Sequence, residues 1–195
     1  MSRLRAEHLS VGYDDRVVIS DLDLAIPDHQ ITTLIGANGC GKSTLLRCLA
    51  RLLPPRAGTV YLDDVDINRV RPKQVARTLG ILPQNPVAPE GLTVAELVRR
   101  GRHPHQRWYS QASSEDEAAV SQAMELTNTT DLADRTLDAL SGGQRQRVWI
   151  ALTLAQGTDL LLLDEPTTYL DLAHSVDILD LVATLKADHG KTVVM

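Results

Sequence analysis

The sequence predicts an α/β domain with a mostly parallel sheet and a helical insertion, on three observations. An apolar segment, Ile31–Ile35, leads into a glycine-rich turn at Gly36–Gly41 and then into leucines at helical spacing. The apolar run Leu160–Leu163 is bounded by polar residues, which suits a parallel strand covered on both faces. Between them, from about Asn85 to Ala139, short helical patterns alternate with polar connections. At 195 residues, 43% hydrophobic and 23% charged, the chain has globular composition and the length of one domain.

The elements follow in order. Leu22, Leu24 and Ile26 alternate with polar residues as in a half-buried strand, and Pro27-Asp28 punctuates before Ile31–Ile35. Leu45, Leu46, Leu49, Leu52 and Leu53 recur at helical spacing and predict a helix running until Pro54-Pro55 stops it. Asp63, Asp64 and Asp66 read as a polar turn after a Thr59–Leu62 strand. Thr93–Glu96 and Ser114–Glu117 have capping-box form. A helix over Leu172–Lys186 and a final apolar run, Thr192–Met195, complete another helix-then-strand step.

Composition excludes several classes of function. With 20 Lys and Arg against 25 Asp and Glu, the net charge is −5, which argues against a nucleic-acid partner held by a broad basic surface. There is no Phe and only 3% aromatic residues, so no stacking platform for single strands is available. The longest apolar run is Val148–Leu152, far short of the roughly 20 residues of a membrane-spanning helix. The charged N-terminus lacks a signal-peptide pattern, so a cytoplasmic protein is expected. Cys40 and Cys48 cannot build a disulfide framework and are expected to be small buried thiols. His103 and His105, without further nearby ligands, read as surface or interface residues rather than a metal pair. Arg99, Arg100, Arg102 and Arg107 read as a solvated helix face and loop.

Three motifs carry chemistry. Gly36-Ala-Asn-Gly-Cys-Gly-Lys-Ser43 fits the P-loop pattern, which wraps backbone N–H groups around nucleotide phosphates at a helix N-terminus. Its candidate phosphate-binding residues are Gly36, Asn38, Gly39, Cys40, Gly41, Lys42, Ser43 and the adjoining Thr44. Lys42 would reach the β- and γ-phosphates, and the Ser43 hydroxyl would ligate Mg²⁺. Leu160–Leu163 ending in Asp164-Glu165 has the form of a Walker B strand: Asp164 would hold the ion, and Glu165 would accept a proton from the water attacking the γ-phosphate. In Leu140-Ser-Gly-Gly-Gln144, Ser141 can cap the following helix while Gly142 and Gly143 leave its first N–H groups open to an anion.

With these motifs in this order, the chain resembles ATP-binding cassette (ABC) ATPases over essentially its whole length. The resemblance implies a P-loop NTPase core with N-terminal antiparallel strands, over residues 1–84 and 157–195, and a helical signature subdomain over 85–156. Gln84 then matches the Q-loop glutamine that touches Mg²⁺ and attacking water, Tyr13 the aromatic that stacks on adenine, and Asp171 the D-loop aspartate that communicates across a dimer. Two copies would sandwich two ATP molecules, each between the P-loop of one and the signature, Ser141 to Gln144, of the other. The implied partners are that second copy, transmembrane permease subunits at the cytoplasmic face of the inner membrane and, indirectly, a substrate-binding protein; the region beyond Gln84, with Arg99, Arg100, Arg102 and Arg107, would on this resemblance contact the permease rather than be merely a solvated face. The stretches Arg99–Tyr109 and Glu165–His174 look like cassettes of iron–siderophore importers, with haem and cobalamin importers as alternatives. A soluble ABC ATPase acting on ribosomes or chromosomes is a further alternative. A P-loop kinase is disfavoured by Leu140–Gln144. The family's switch histidine is expected after the last apolar strand, and His189 precedes that strand. The expectation is therefore a C-terminally truncated chain in which ATP binding survives better than turnover.

Overall fold

A computed structural model of the chain describes residues 2–106, 113–168 and 170–195. Two four-stranded sheets carry the architecture. The first is antiparallel, with spatial order β2-β1-β4-β5, from β1 (Leu4–Tyr13), β2 (Arg16–Ile26), β4 (Ala57–Leu62) and β5 (Val65–Asp66). The second is parallel, with order β3-β8-β7-β6, from β3 (Ile31–Thr32), β6 (Leu79–Leu82), β7 (Leu160–Leu163) and β8 (Thr192–Val194). The helices are α1 (Lys42–Leu49), α2 (Pro72–Thr78), α3 (Val94–Arg99), α4 (Ser114–Leu126), α5 (Gly142–Ala155) and α6 (Leu172–Ala187).

The four leucines of β7 explain why the parallel sheet is buried on both sides. Successive side chains of a strand point to opposite faces. Leu160 and Leu162 join Leu45, Leu46 and Leu49 of α1 and the apolar residues of β1 and β4 in one core. Leu161 and Leu163 join α3, α4, α5 and α6 in a second. The helical insertion thus packs directly on the sheet that carries the candidate carboxylates.

Several local expectations are corrected. The helix after the glycine turn ends at Leu49 rather than at the prolines. Arg51 turns left-handed at φ 61°, its N–H donates to Cys48 O at 3.0 Å and the Leu52 N–H to Arg47 O at 2.8 Å, a Schellman ending built without glycine. The Arg51 guanidinium holds that turn by donating to the carbonyls of Asn68 and Val70. Of the segment Ile31–Ile35 only Ile31–Thr32 is strand, and the remainder bends toward the glycine turn. The Thr93–Glu96 box forms as expected, but the second box starts one residue earlier, at Ser113 with Asp116, because Asp116 is also held by Arg102.

That contact corrects the reading of the basic run. Arg102 is buried: its Nε donates to Asp116 Oδ1 at 2.8 Å and its Nη1 to Ala155 O at 2.9 Å, joining the start of α4 to the end of α5. Arg99 pairs with Glu117 on the surface, and Arg107 lies outside the described residues. His105 Nε2 bonds Gln156 O at 2.8 Å, a structural contact.

Removing one partner of a buried pair strands the other charge. Asp116→Ala is expected to lower unfolding free energy by about 3 kcal/mol in urea titrations. The Arg102 guanidinium, with help from the Ser113 N–H and hydroxyl, holds the Asp116 carboxyl below its ordinary range. A lowered folded-state pKa stabilises above the unfolded value of about 3.9 and is lost as pH falls through the folded one. The stability gap between parent and Asp116→Asn should therefore narrow on acidification below about pH 4.

Candidate nucleotide-binding site

The site lies at the carboxyl ends of β6 and β7, where ligands of open parallel sheets bind. The two strands are paired in register from Leu79↔Leu160 to Leu82↔Leu163, and the ladder continues with Asp164 N–H donating to Leu82 O at 2.9 Å. This pairing delivers Gln84 from one strand and Asp164-Glu165 from the other to a common edge. Gln84 Nε2 donates to Glu165 Oε2 at 2.6 Å, and Thr168 Oγ1 donates to the same oxygen at 3.0 Å. Glu165 itself adopts φ 50°, a left-handed conformation uncommon for a residue with a long side chain. A strained residue of this kind at a strand end is held there by its surroundings, here by the Gln84 and Thr168 bonds.

The glycine loop faces that edge. Gly41 caps α1 with φ 107° and no side-chain hydrogen bond, so the first N–H groups of the helix remain open to an anion. A Cβ on Gly41 would come within 2.8 Å of Val18 Cγ1, so both the turn and the close approach of β2 require glycine. Lys42 Nζ folds back onto the carbonyls of Gly36 at 2.9 Å and Ala37 at 3.1 Å. Ser43 Oγ donates to Asp164 Oδ1 at 2.8 Å, and Asp164 is buried. A hydroxyl beside a buried carboxylate is a hard-oxygen donor set that fits Mg²⁺.

Most of these parts line one cleft of about 1070 Å³, whereas Gly36, Cys40 and Asp164 lie outside its lining. Its walls include Asn38, Gly39, Gly41, Lys42, Ser43, Thr44, Gln84 and Glu165, with Tyr13 at the mouth. The Tyr13 hydroxyl accepts from Arg47 Nη1 at 3.4 Å, leaving its ring half-exposed at the cleft edge. Asp15, Arg16, Val18 and Thr168 also line it and were not singled out from sequence. The signal for Thr168 was its position three residues after Glu165, where a turn brings a hydroxyl back to the carboxylate.

Ser141, Gly142, Gly143, Gln144 and Asp171 do not line this cleft. They meet at a second place, where the starts of α5 and α6 lie together. Ser141 Oγ accepts the Gln144 N–H at 3.2 Å, and the Gln144 side chain accepts the Ser141 N–H at 3.1 Å, a complete capping box. Gly142 faces open space, whereas Gly143 does not: a Cβ there would lie 2.4 Å from the His174 ring. Asp171 caps α6, accepting the His174 N–H at 2.9 Å.

The thiol expectation divides. Cys48 is buried in the core, and burial pushes its thiol up to about 11, whereas Cys40 is exposed on the glycine loop. A chromogenic disulfide reagent is expected to titrate one thiol quickly in the native protein and the second only on unfolding. Two fast thiols would contradict the packing of Cys48 behind α1.

Comparison with known proteins agrees with this geometry. Residues 19–168 match the family model described as ABC transporter. The probable siderophore transport system ATP-binding protein YusV of Bacillus subtilis is 57% identical over all of this chain and 71% of its own length. The achromobactin transport ATP-binding protein CbrD of Dickeya dadantii is 54% identical over all of this chain and 72% of its own length. Among solved structures, a dimeric bacterial ABC transporter cassette superposes with a TM-score of 0.83 at 27% identity, covering 98% of this chain and 86% of that one. The glycine loop, the paired strand ends and the capped α5 are therefore those of an ATP-binding domain, and the chain belongs to the ABC transporter family.

Proposed function

We propose that the chain is the ATP-hydrolysing subunit of an importer for ferric siderophores, working as one of two cassettes on a membrane permease. The observation that carries the catalytic part is the convergence of Ser43, Asp164, Glu165 and Gln84 beside an open helix N-terminus. The transport part rests on the relatives named for siderophore and achromobactin transport, which favour this substrate class over haem and cobalamin. No helix among the described residues is long and apolar enough to cross a membrane. The cassette would reach the cytoplasmic face of the inner membrane through its permease, and the permease's binding protein would select the ligand.

ATP would lie in the cleft with its phosphates on the loop N–H groups and its adenine against Tyr13. Lys42 exchanges the Gly36 and Ala37 carbonyls for phosphate oxygens, which costs little because the ammonium is already exposed. Ser43 and Asp164, with Gln84, would hold Mg²⁺, which when bound neutralises charge developing on the phosphates. Glu165 accepts the proton of the attacking water as the bond from the β,γ-bridging oxygen to the γ-phosphorus breaks, leaving ADP and phosphate. Its carboxylate is held by Gln84 and Thr168, so the base is oriented before substrate arrives. A second copy would place its Ser141 and Gly142 N-terminus over the nucleotide, since no residue of the chain's own signature reaches the cleft.

Glu165→Gln is expected to retain ATP binding, to accumulate an ATP-bound dimer on size-exclusion chromatography, and to lose about 10²–10⁴ in hydrolysis. Near-parental turnover would remove Glu165 from the base role. Lys42→Ala should weaken nucleotide affinity itself, read with a fluorescent ATP analogue. The transport assignment is tested by ferric-siderophore uptake in cells lacking the cassette gene: restored uptake supports it, and restored haem or cobalamin uptake alone refutes it.

A further inference from the structure

Two motifs that carry separate roles in the proposed mechanism share one side chain. The His174 imidazole lies on α6, three residues into the turn that Asp171 caps, and its Nδ1 is 2.7 Å from Asp171 Oδ1. An ionised carboxylate only accepts, so Nδ1 carries the proton and donates. The same carboxylate oxygen takes the His174 backbone N–H at 2.9 Å, and these bonds hold Asp171 below the usual carboxylate range. The Ser175 hydroxyl adds a bond to Asp171 O at 2.8 Å.

The opposite edge of the ring lies against the signature. A Cβ on Gly143 would meet His174 Cδ2 at 2.4 Å, Cγ at 2.9 Å and Nε2 at 3.0 Å, so with the ring in this orientation only hydrogen fits there. Gly142, one residue earlier, has nothing within 4 Å. The two glycines thus do different work: Gly142 is open toward solvent, and Gly143 makes room for an imidazole. Ser141 and Gln144 are joined to each other by the capping box, so the first turn of α5 is tied internally where it lies against that ring.

We propose that His174 is a positioning residue that fixes the Asp171 turn and the first turn of α5 as a single surface, the half-site this chain presents to the nucleotide held by a second copy. This rests on the reading of the chain as one half of a two-nucleotide sandwich. His174 does not line the chain's own cleft, so its effect falls on pairing and on turnover in the pair, with nucleotide binding by the single chain left alone. Gly143 and His174 are complementary shapes in one contact.

The experiment uses the full chain with His174→Ala, His174→Asn, Gly143→Ala and the double variant Gly143→Ala/His174→Ala. Each is made with Glu165 intact for hydrolysis and with Glu165→Gln for ATP-driven dimerisation. Affinity of the single chain for a fluorescent ATP analogue is expected to stay within about twofold in His174→Ala, whereas dimer affinity and kcat/KM fall about tenfold or more. His174→Asn, whose amide can donate to Asp171 from the position of Nδ1, is expected to restore most of the loss. Gly143→Ala should mimic His174→Ala, and the double variant should cost less than the two losses combined, because the methyl then has space. Parental dimerisation and hydrolysis in His174→Ala overturn the proposal, as does strict additivity of the two single changes. A loss that His174→Asn fails to restore, accompanied by a lower melting midpoint, also overturns it, since the residue would then serve stability alone. Failure of the parent chain to bind the ATP analogue would instead count against the underlying nucleotide-binding reading.

Discussion

The parallel pairing of β6 with β7 is the constraint on which the site depends. Register Leu82↔Leu163 leaves both strands ending at the same level, so residues 81 positions apart in sequence, Gln84 and Glu165, come within hydrogen-bonding distance. A slip of one residue would exchange the faces of Leu160–Leu163 and take Asp164 away from Leu82 O and Ser43. The two hydrophobic cores hold the strand in place, and the register sets the level of the carboxylates.

On that base the polar groups are arranged with little freedom. Asp164 is buried and accepts from Ser43, tying the start of α1 to the end of β7. Glu165 sits in a left-handed backbone conformation with one oxygen taking two donors. Such strain costs on the order of 1–3 kcal/mol and persists only when the surroundings over-determine it. The Gln84 and Thr168 bonds, on a strand end fixed by the cores on either face of the sheet, supply that over-determination and hold the carboxylate at the edge of the cleft.

In the proposed pair, the open cleft and the capped start of α5 would be two half-sites of different character. The cleft is concave, with helix N–H groups and a lysine facing inward. The start of α5 is a capped helix end, tied internally and set against His174 of α6. The chain's own Ser141–Gln144 segment does not line its cleft, and in the proposed pair that separation would leave each site to be completed by the other copy.

Local patterns were legible in the sequence. The glycine loop, the four leucines with their acidic end, the helix cap at Ser141 and the helix at Leu172 all announce themselves through chemistry that acts over a few residues. Misreadings occurred where a local signal was overruled from a distance. Leu52 and Leu53 kept helical spacing, but Arg51 turned left-handed while bonding carbonyls of residues 68 and 70. Arg102 looked like part of a solvated basic run, yet Asp116 and Ala155 O draw it inside. Cys40 was grouped with Cys48, and only the placement of the loop at the surface separates them. The sequence by itself determined which residues could grip a phosphate and supply a carboxylate, because those properties belong to side chains and short turns. Tertiary structure decided which of them meet: Gln84 on Glu165, and His174 on Gly143, because contact between distant residues is set by strand register and helix packing that no local pattern encodes.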